Sequence, residues 1–220
     1  MATNVKNKVL HTAAKLFLAQ GYEKTSLRVL ERESGVNYGS IMNAFENKES
    51  ILCELVEYVL EGQFETTSKI LKDITDDKIL FYGVETVLQL YMAESSEHMR
   101  EMYNVSYSLP KTSEIIYNSI TKKFQYIFGD HLKNYDTKDF YCIELATAGI
   151  MRNYMSRPCD MFFTMDMKVK NYLEKSLLLF RISDDKIEEV INFVKNFDFK
   201  SIADEAINNM LGYLEYRIDE

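Results

Sequence analysis

Proline is nearly missing from this chain. Pro110 and Pro158 are the only two in 220 residues, and glycine occurs only eight times. Strict apolar–polar alternation of period two is hard to find, which argues against a sheet-based fold. The three cysteines, Cys53, Cys142 and Cys159, are odd in number, far apart and without C-x-x-C spacing, which fits a reduced cytoplasm. No apolar run approaches the roughly 18 residues that span a membrane. The amphipathic N-terminus is interrupted by His11 and Lys15 where a signal sequence would be apolar, so it reads as a folded first helix. Catalytic patterns are lacking too. His11, His98 and His131 are scattered, and there is no H-E-x-x-H, no E-x-x-H pair, no Walker loop and no G-x-S-x-G. Neither an enzyme nor a bound cofactor or metal is expected.

Negative charge is scarce at one end. No acid precedes Glu23, and residues 1–50 hold seven Lys/Arg against five Asp/Glu, a balance of +2. The whole chain is −8, so residues 51–220 carry −10. An anion-facing N-terminal part on an acidic body suits that asymmetry.

What is abundant is helix-forming sequence. Hydrophobic residues make up 46 % and charged residues 27 %, in long stretches of Leu, Ile, Lys, Glu, Met and Asn. An all-α fold follows. Val5, Val9, Ala13, Leu16 and Phe17 fall at helical spacing and Gly21 stops that helix. Thr25 or Ser26 suits the N-cap of a short second helix, ended by Gly35. Asn37 is placed to cap a third short helix by accepting the Ser40 N–H, with Val36 and Ile41 as a hydrophobic staple. Ile41 and Phe45 then face inward, and Gly39 and Asn43 outward. Asn47 caps a long fourth helix. Further breaks are expected near DITDDK, Pro110, GDHLKNYDTKD, SRPCD, RISDDK and NFDFKS, with Asp76, Asp136 or Thr137, Ser183 and Lys200 or Ser201 near helix starts. Short helices followed by long ones predict a small helix-turn-helix head, residues 1–48, on a larger helical body, residues 49–220.

Residues 5–52 resemble the DNA-binding head of the TetR family of bacterial transcription regulators. The resemblance rests on AAKLF in helix one, GYEKTS at the turn, GVNYGSI opening helix three and F-x-x-K-E-x-I-L opening helix four, in that order and spacing. It covers about a quarter of the chain. It implies that Thr25, Ser26 and Arg28 touch phosphate, that Asn37, Tyr38, Gly39 and Ser40 open the recognition helix with Asn43 further along, and that Lys48 holds the DNA backbone. Arg28 and Lys48 would position the protein, while Asn43 and Tyr38 would read base edges. The chain departs from the family at Met42, where Tyr is common, and at Ala44, where an aromatic or His is common.

The resemblance also implies a homodimeric body with an effector pocket. ELATAGIMRNYM, with Ala146, Ala148 and Gly149, and the last helix, SIADEAINNMLGYLEYRI, each offer a dimer face or intrachain core. The Tyr/Met-rich segment, including Tyr91, Met92, Tyr103 and Tyr107, with Met151 and Tyr154 later, is the expected lining of a pocket for a small apolar effector. The expected function is a ligand-responsive repressor that binds a palindromic operator in double-stranded DNA as a dimer. The alternative is a helical interaction module whose head no longer binds DNA.

Overall fold

The computed structural model describes residues 2–219. Among them are eleven helices and no strand. Three form the head: α1 (Ala2–Gln20), α2 (Leu27–Ser34) and α3 (Tyr38–Ala44). The body holds α4 (Lys48–Leu71), α5 (Lys78–Glu94), α6 (Glu97–Ser106), α7 (Pro110–Phe128), α8 (Thr137–Ser156), α9 (Met165–Leu179), α10 (Asp184–Val194) and α11 (Phe199–Asp219).

Side-chain caps set most of the boundaries. Ser26 accepts the Val29 N–H, Asn37 the Ser40 N–H and Asn47 the Ser50 N–H. Gly35 ends α2 at φ 65°, a left-handed conformation that a side chain would strain. Asp77 rather than Asp76 caps α5, accepting from both Ile79 and Leu80. Asp136 and Asp139 form a reciprocal capping box at α8. Pro110 opens α7 at its first turn, where its missing N–H costs nothing. The break between α5 and α6 has neither glycine nor proline and was not expected. It is made by Ser96, whose hydroxyl accepts the Met99 N–H.

The core runs unbroken from head to body. Phe17, Leu30 and Ile41 close the three head helices around a common centre, joined by Ile51 and Leu52 of α4. A helix of 24 residues such as α4 is about 36 Å long, enough to serve both the head and the body. The body wraps α5, which is apolar nearly all round, as a helix at the centre of a bundle must be. The last helix packs along α1. Asn4 and Asn7 of α1 donate to the carbonyls of Ile218 and Arg217, at 2.7 and 2.6 Å, and so satisfy groups that a helix end leaves open. Ala203 and Leu214 of α11 are buried within the chain, and Ile207, Met210 and Leu211 pack on the same core. This side of α11 contributes to the intrachain core.

Candidate nucleic-acid interface and internal cavity

The turn between α2 and α3 is organised by one carboxylate. Glu31 accepts the Tyr38 backbone N–H through Oε1 at 2.8 Å and the Arg28 guanidinium through Oε2 at 2.8 Å. The Arg28 hydrogen bond, with the Tyr38 N–H second, holds this carboxyl below its ordinary range. Arg28 also lies over the Tyr38 ring, 4.3 Å from its centroid. The first turn of α3 is thereby fixed to the side of α2. Arg28, Ser26, Asn37, Gly39 and Asn43 are exposed on this surface, with Tyr38 and Ser40 half-buried among them.

Two of the expected contacts are placed differently. Thr25 is fully buried; its hydroxyl donates to the Gly21 carbonyl at 2.8 Å and its N–H to the Tyr22 carbonyl. Both its donors are used inside the fold, so in this conformation it offers nothing to phosphate, and Ser26 alone caps α2. Lys48 is half-buried and turned inward. Its Nζ donates to the Tyr22 carbonyl at 2.9 Å and stands 3.9 Å from the centroid of the Tyr22 ring, and burial lowers its pKa. It braces the start of α4 against the turn after α1. Met42 and Ala44 put no hydroxyl on α3, and Met42 is exposed.

The head is tied to the body by α6. Glu101 accepts the Glu23 N–H at 2.8 Å, and His98 Nδ1 stands 3.0 Å from the Leu18 carbonyl. Gly21, at φ 88°, lets the Glu101 carboxylate approach where a Cβ would collide with it. At the start of α7, the Lys111 N–H reaches Glu49 at 2.8 Å and its Nζ reaches Glu46 at 3.0 Å.

Beneath those ties lies an apolar cavity of about 60 Å³. One wall is α6, through Met99, Met102, Tyr103 and Ser106. Ala14 and Leu18 of α1 form another, so the head itself lines the cavity. Tyr107 lies here as expected. Tyr103 does too, its hydroxyl accepting from Gln63 at 2.6 Å. The other expected residues go elsewhere. Tyr91 stacks on Phe199, Met92 is buried against Gln63 and Tyr103, and Tyr154 packs edge-on to Phe163 and Tyr172.

Met151 lines a second, polar chamber of about 40 Å³, which shares Gln89 and Tyr107 with the first cavity. Gln89 donates to the Tyr107 hydroxyl at 3.1 Å between the two. The chamber contains Glu144, which the sequence reading passed over. Glu144 is 2 % exposed and accepts the Thr147 hydroxyl at 2.9 Å. Burial, opposed by that hydrogen bond, pushes its pKa up to about 8. Helical register was the available signal: Glu144 falls on the stripe of Phe140, Ala148, Met151 and Met155, all of them buried. Among the described residues, no group of His, Cys, Asp and Glu gathers to hold a metal ion, and no helix is long and apolar enough to cross a membrane.

The family described as bacterial regulatory proteins, tetR family, matches residues 9–55. The uncharacterized HTH-type transcriptional regulator YxaF of Bacillus subtilis (strain 168) is 44 % identical over 54 residues, which are 24 % of this chain and 28 % of that protein. This chain thus matches little more than a quarter of that relative's length. The crystal structure of RolR in complex with resorcinol superposes with a TM-score of 0.63, covering 88 % of this chain and 94 % of that one. At 12 % identity, that likeness speaks for the fold.

Proposed function

We propose that the chain, whose head matches the tetR family of bacterial regulatory proteins over residues 9–55, is a member of that family and a dimeric repressor released from a palindromic operator by a small, mainly apolar effector. A DNA-binding transcription regulator, not an enzyme, is the function its family carries. The observation that carries the finer reading is that α6 forms a wall of the cavity with one face and holds the head through Glu101 and His98 with another.

The exposed surface of α2 and α3 supplies the DNA contacts. In this reading Arg28 and Ser26 take phosphate, and Asn43 and Tyr38 read base edges. Lys48 acts first as a brace, with remaining Nζ donors for phosphate. Residues 1–48 act as the DNA-binding unit and 49–220 as the effector and dimer unit, although α1 belongs physically to both through the cavity wall. The outer faces of α8 and α9 suit a second copy. Leu145, Met167, Leu178 and Leu179 are exposed there, and the space beside Gly149 is open.

The small cavity volume supports a switch in which the effector moves the walls. About 60 Å³ is less than the roughly 150 Å³ that admits a benzene in a rigid core. An effector must therefore displace walls, and the adaptable ones are Met99, Met102 and Met210. Two of these are on α6, so occupancy moves the element that carries Glu101. RolR, of the same fold, holds a small aromatic molecule. Only an effector that binds one spacing of the heads better than the other shifts the equilibrium. A shift assay on the DNA upstream of the protein's own gene tests the reading; absence of binding at low salt favours the interaction module.

A further inference from the structure

We propose that the polar chamber around Glu144 is the head-group site of the effector, and that the effector is a lipophilic amine whose cation pairs with Glu144 while its apolar part fills the adjoining cavity. The inference rests on the effector reading above and narrows it to a chemical class.

The argument starts from an acid in the wrong place. A carboxyl as buried as Glu144 is found paired or hydrogen-bonded, because an isolated buried charge is very costly. Its hydrogen bond comes from Thr147, on its own helix, and among the described residues no Lys or Arg forms an ion pair with it. The chamber does contain a cation, Lys123 on α7. That cation is already held by Glu85 of α5 at 2.6 Å and by the Leu60 carbonyl at 3.2 Å. The other titratable groups facing Glu144 are the hydroxyls of Tyr82 on α5, Tyr107 at the end of α6 and Tyr172 on α9, and burial raises all three. They are neutral near neutral pH and leave the carboxyl unpaired.

The Tyr82 hydroxyl lines the same chamber, fully enclosed beside the hydroxyls of Ser176, Tyr172 and Thr86. An ammonium group would answer the need of Glu144 and would find the Tyr82 oxygen as a further acceptor. The rings of Tyr82, Tyr107, Phe124 and Tyr172 wall the chamber, and aromatic faces attract cations. The acidic body, −10 over residues 51–220, favours cation entry. The apolar body of the ligand has a place beside it, because the chamber and the cavity meet at Gln89 and Tyr107. A ligand spanning both parts that pair.

Proton balance gives the signature. The free protein holds Glu144 protonated below about pH 8, the pKa that burial gives it. Binding an ammonium ion requires the carboxylate, so one proton leaves Glu144 for solvent. Affinity should then fall about tenfold for each pH unit below 8.

The test compares 4-phenylbutylamine with 4-phenylbutan-1-ol, of equal size and shape, by calorimetry on the full chain from pH 6 to 9 in buffers of different ionisation enthalpy. The amine is expected to bind at least tenfold more tightly at pH 8, to weaken as pH falls and to release close to one proton at pH 7. The alcohol should show neither effect. Glu144→Gln should remove the preference for the amine and its pH dependence while the alcohol still binds. The wild-type pH profile decides the matter even if that variant does not fold. Equal affinities, a flat pH profile for the amine or binding of neither probe at millimolar concentration overturns the proposal. Adding operator DNA separates the two readings. Amine binding that leaves DNA affinity unchanged keeps the Glu144 site and sinks the switch, whereas intact DNA binding with no amine site keeps the regulator and sinks this inference.

Discussion

The carboxylate of Glu101 on α6 accepts the backbone N–H of Glu23 at 2.8 Å, across the glycine that ends α1. Gly21 takes a left-handed φ of 88° there, and any side chain at that position would run into Glu101. The turn that leads into the DNA-facing helices is thus shaped around a residue of the cavity wall helix.

This contact makes Gly21→Ala costly for two separable reasons. The left-handed backbone alone should cost about 1–2 kcal/mol. The collision with Glu101 adds to it, and Glu101→Ala removes that part. Urea melts of the two single variants and the double variant should show coupling of at least about 0.5 kcal/mol, the cost of Gly21→Ala being smaller without Glu101. Additive effects would mean that the two residues do not press on each other.

Positioning and reading on DNA separate by substitution. Arg28→Ala should weaken binding to every sequence and lower the salt slope by about one unit. Asn43→Ala should instead relax preference at one base position per half-site, by about 1–3 kcal/mol. Thr25→Val should cost about 1 kcal/mol of stability through the lost bond to Gly21 and leave the salt slope unchanged. Fluorescence anisotropy with specific and random duplexes reads all three. Equal losses on both duplexes for Asn43→Ala would remove it as a reader.

Glu144 fixes a pH dependence of stability. Its folded pKa, about 8, lies above the ordinary 4.5 of the unfolded chain. Between those values the native state holds a proton that the unfolded state has lost, so this group makes stability fall as pH rises from about 4.5 to about 8. Glu144→Gln lacks that penalty. Thermal melts of the variant and the wild type should converge near pH 4.5 and diverge in the variant's favour toward pH 8, then run parallel. Parallel curves throughout would show that Glu144 titrates normally.

The head was legible because its signals are local. Ser26, Asn37 and Asn47 each cap the next helix through a nearby N–H, and Gly35 needs only its own φ. The internal bonds of Thr25 and Lys48 were not legible, because they go to neighbours four and 26 positions away, Gly21 and Tyr22. The cavity depends on longer-range packing still. Tyr103 and Tyr107 face it, while Tyr91 and Tyr154, equally aromatic, meet Phe199 and Phe163 instead. Composition cannot tell those pairs apart. Glu144 could have been found by register alone, since it interrupts the otherwise apolar stripe of Phe140, Ala148, Met151 and Met155 on α8.

Binding of the purified chain to its own upstream DNA, measured from about 50 to about 200 mM salt with a footprint of the complex, tests the central claim most directly. The account expects two protected half-sites, roughly 34 Å or a multiple apart on one face of the duplex, and affinity falling at least about tenfold across that range as phosphate contacts release counterions. No binding at the lowest salt, or a single half-site held by a monomer, would contradict it.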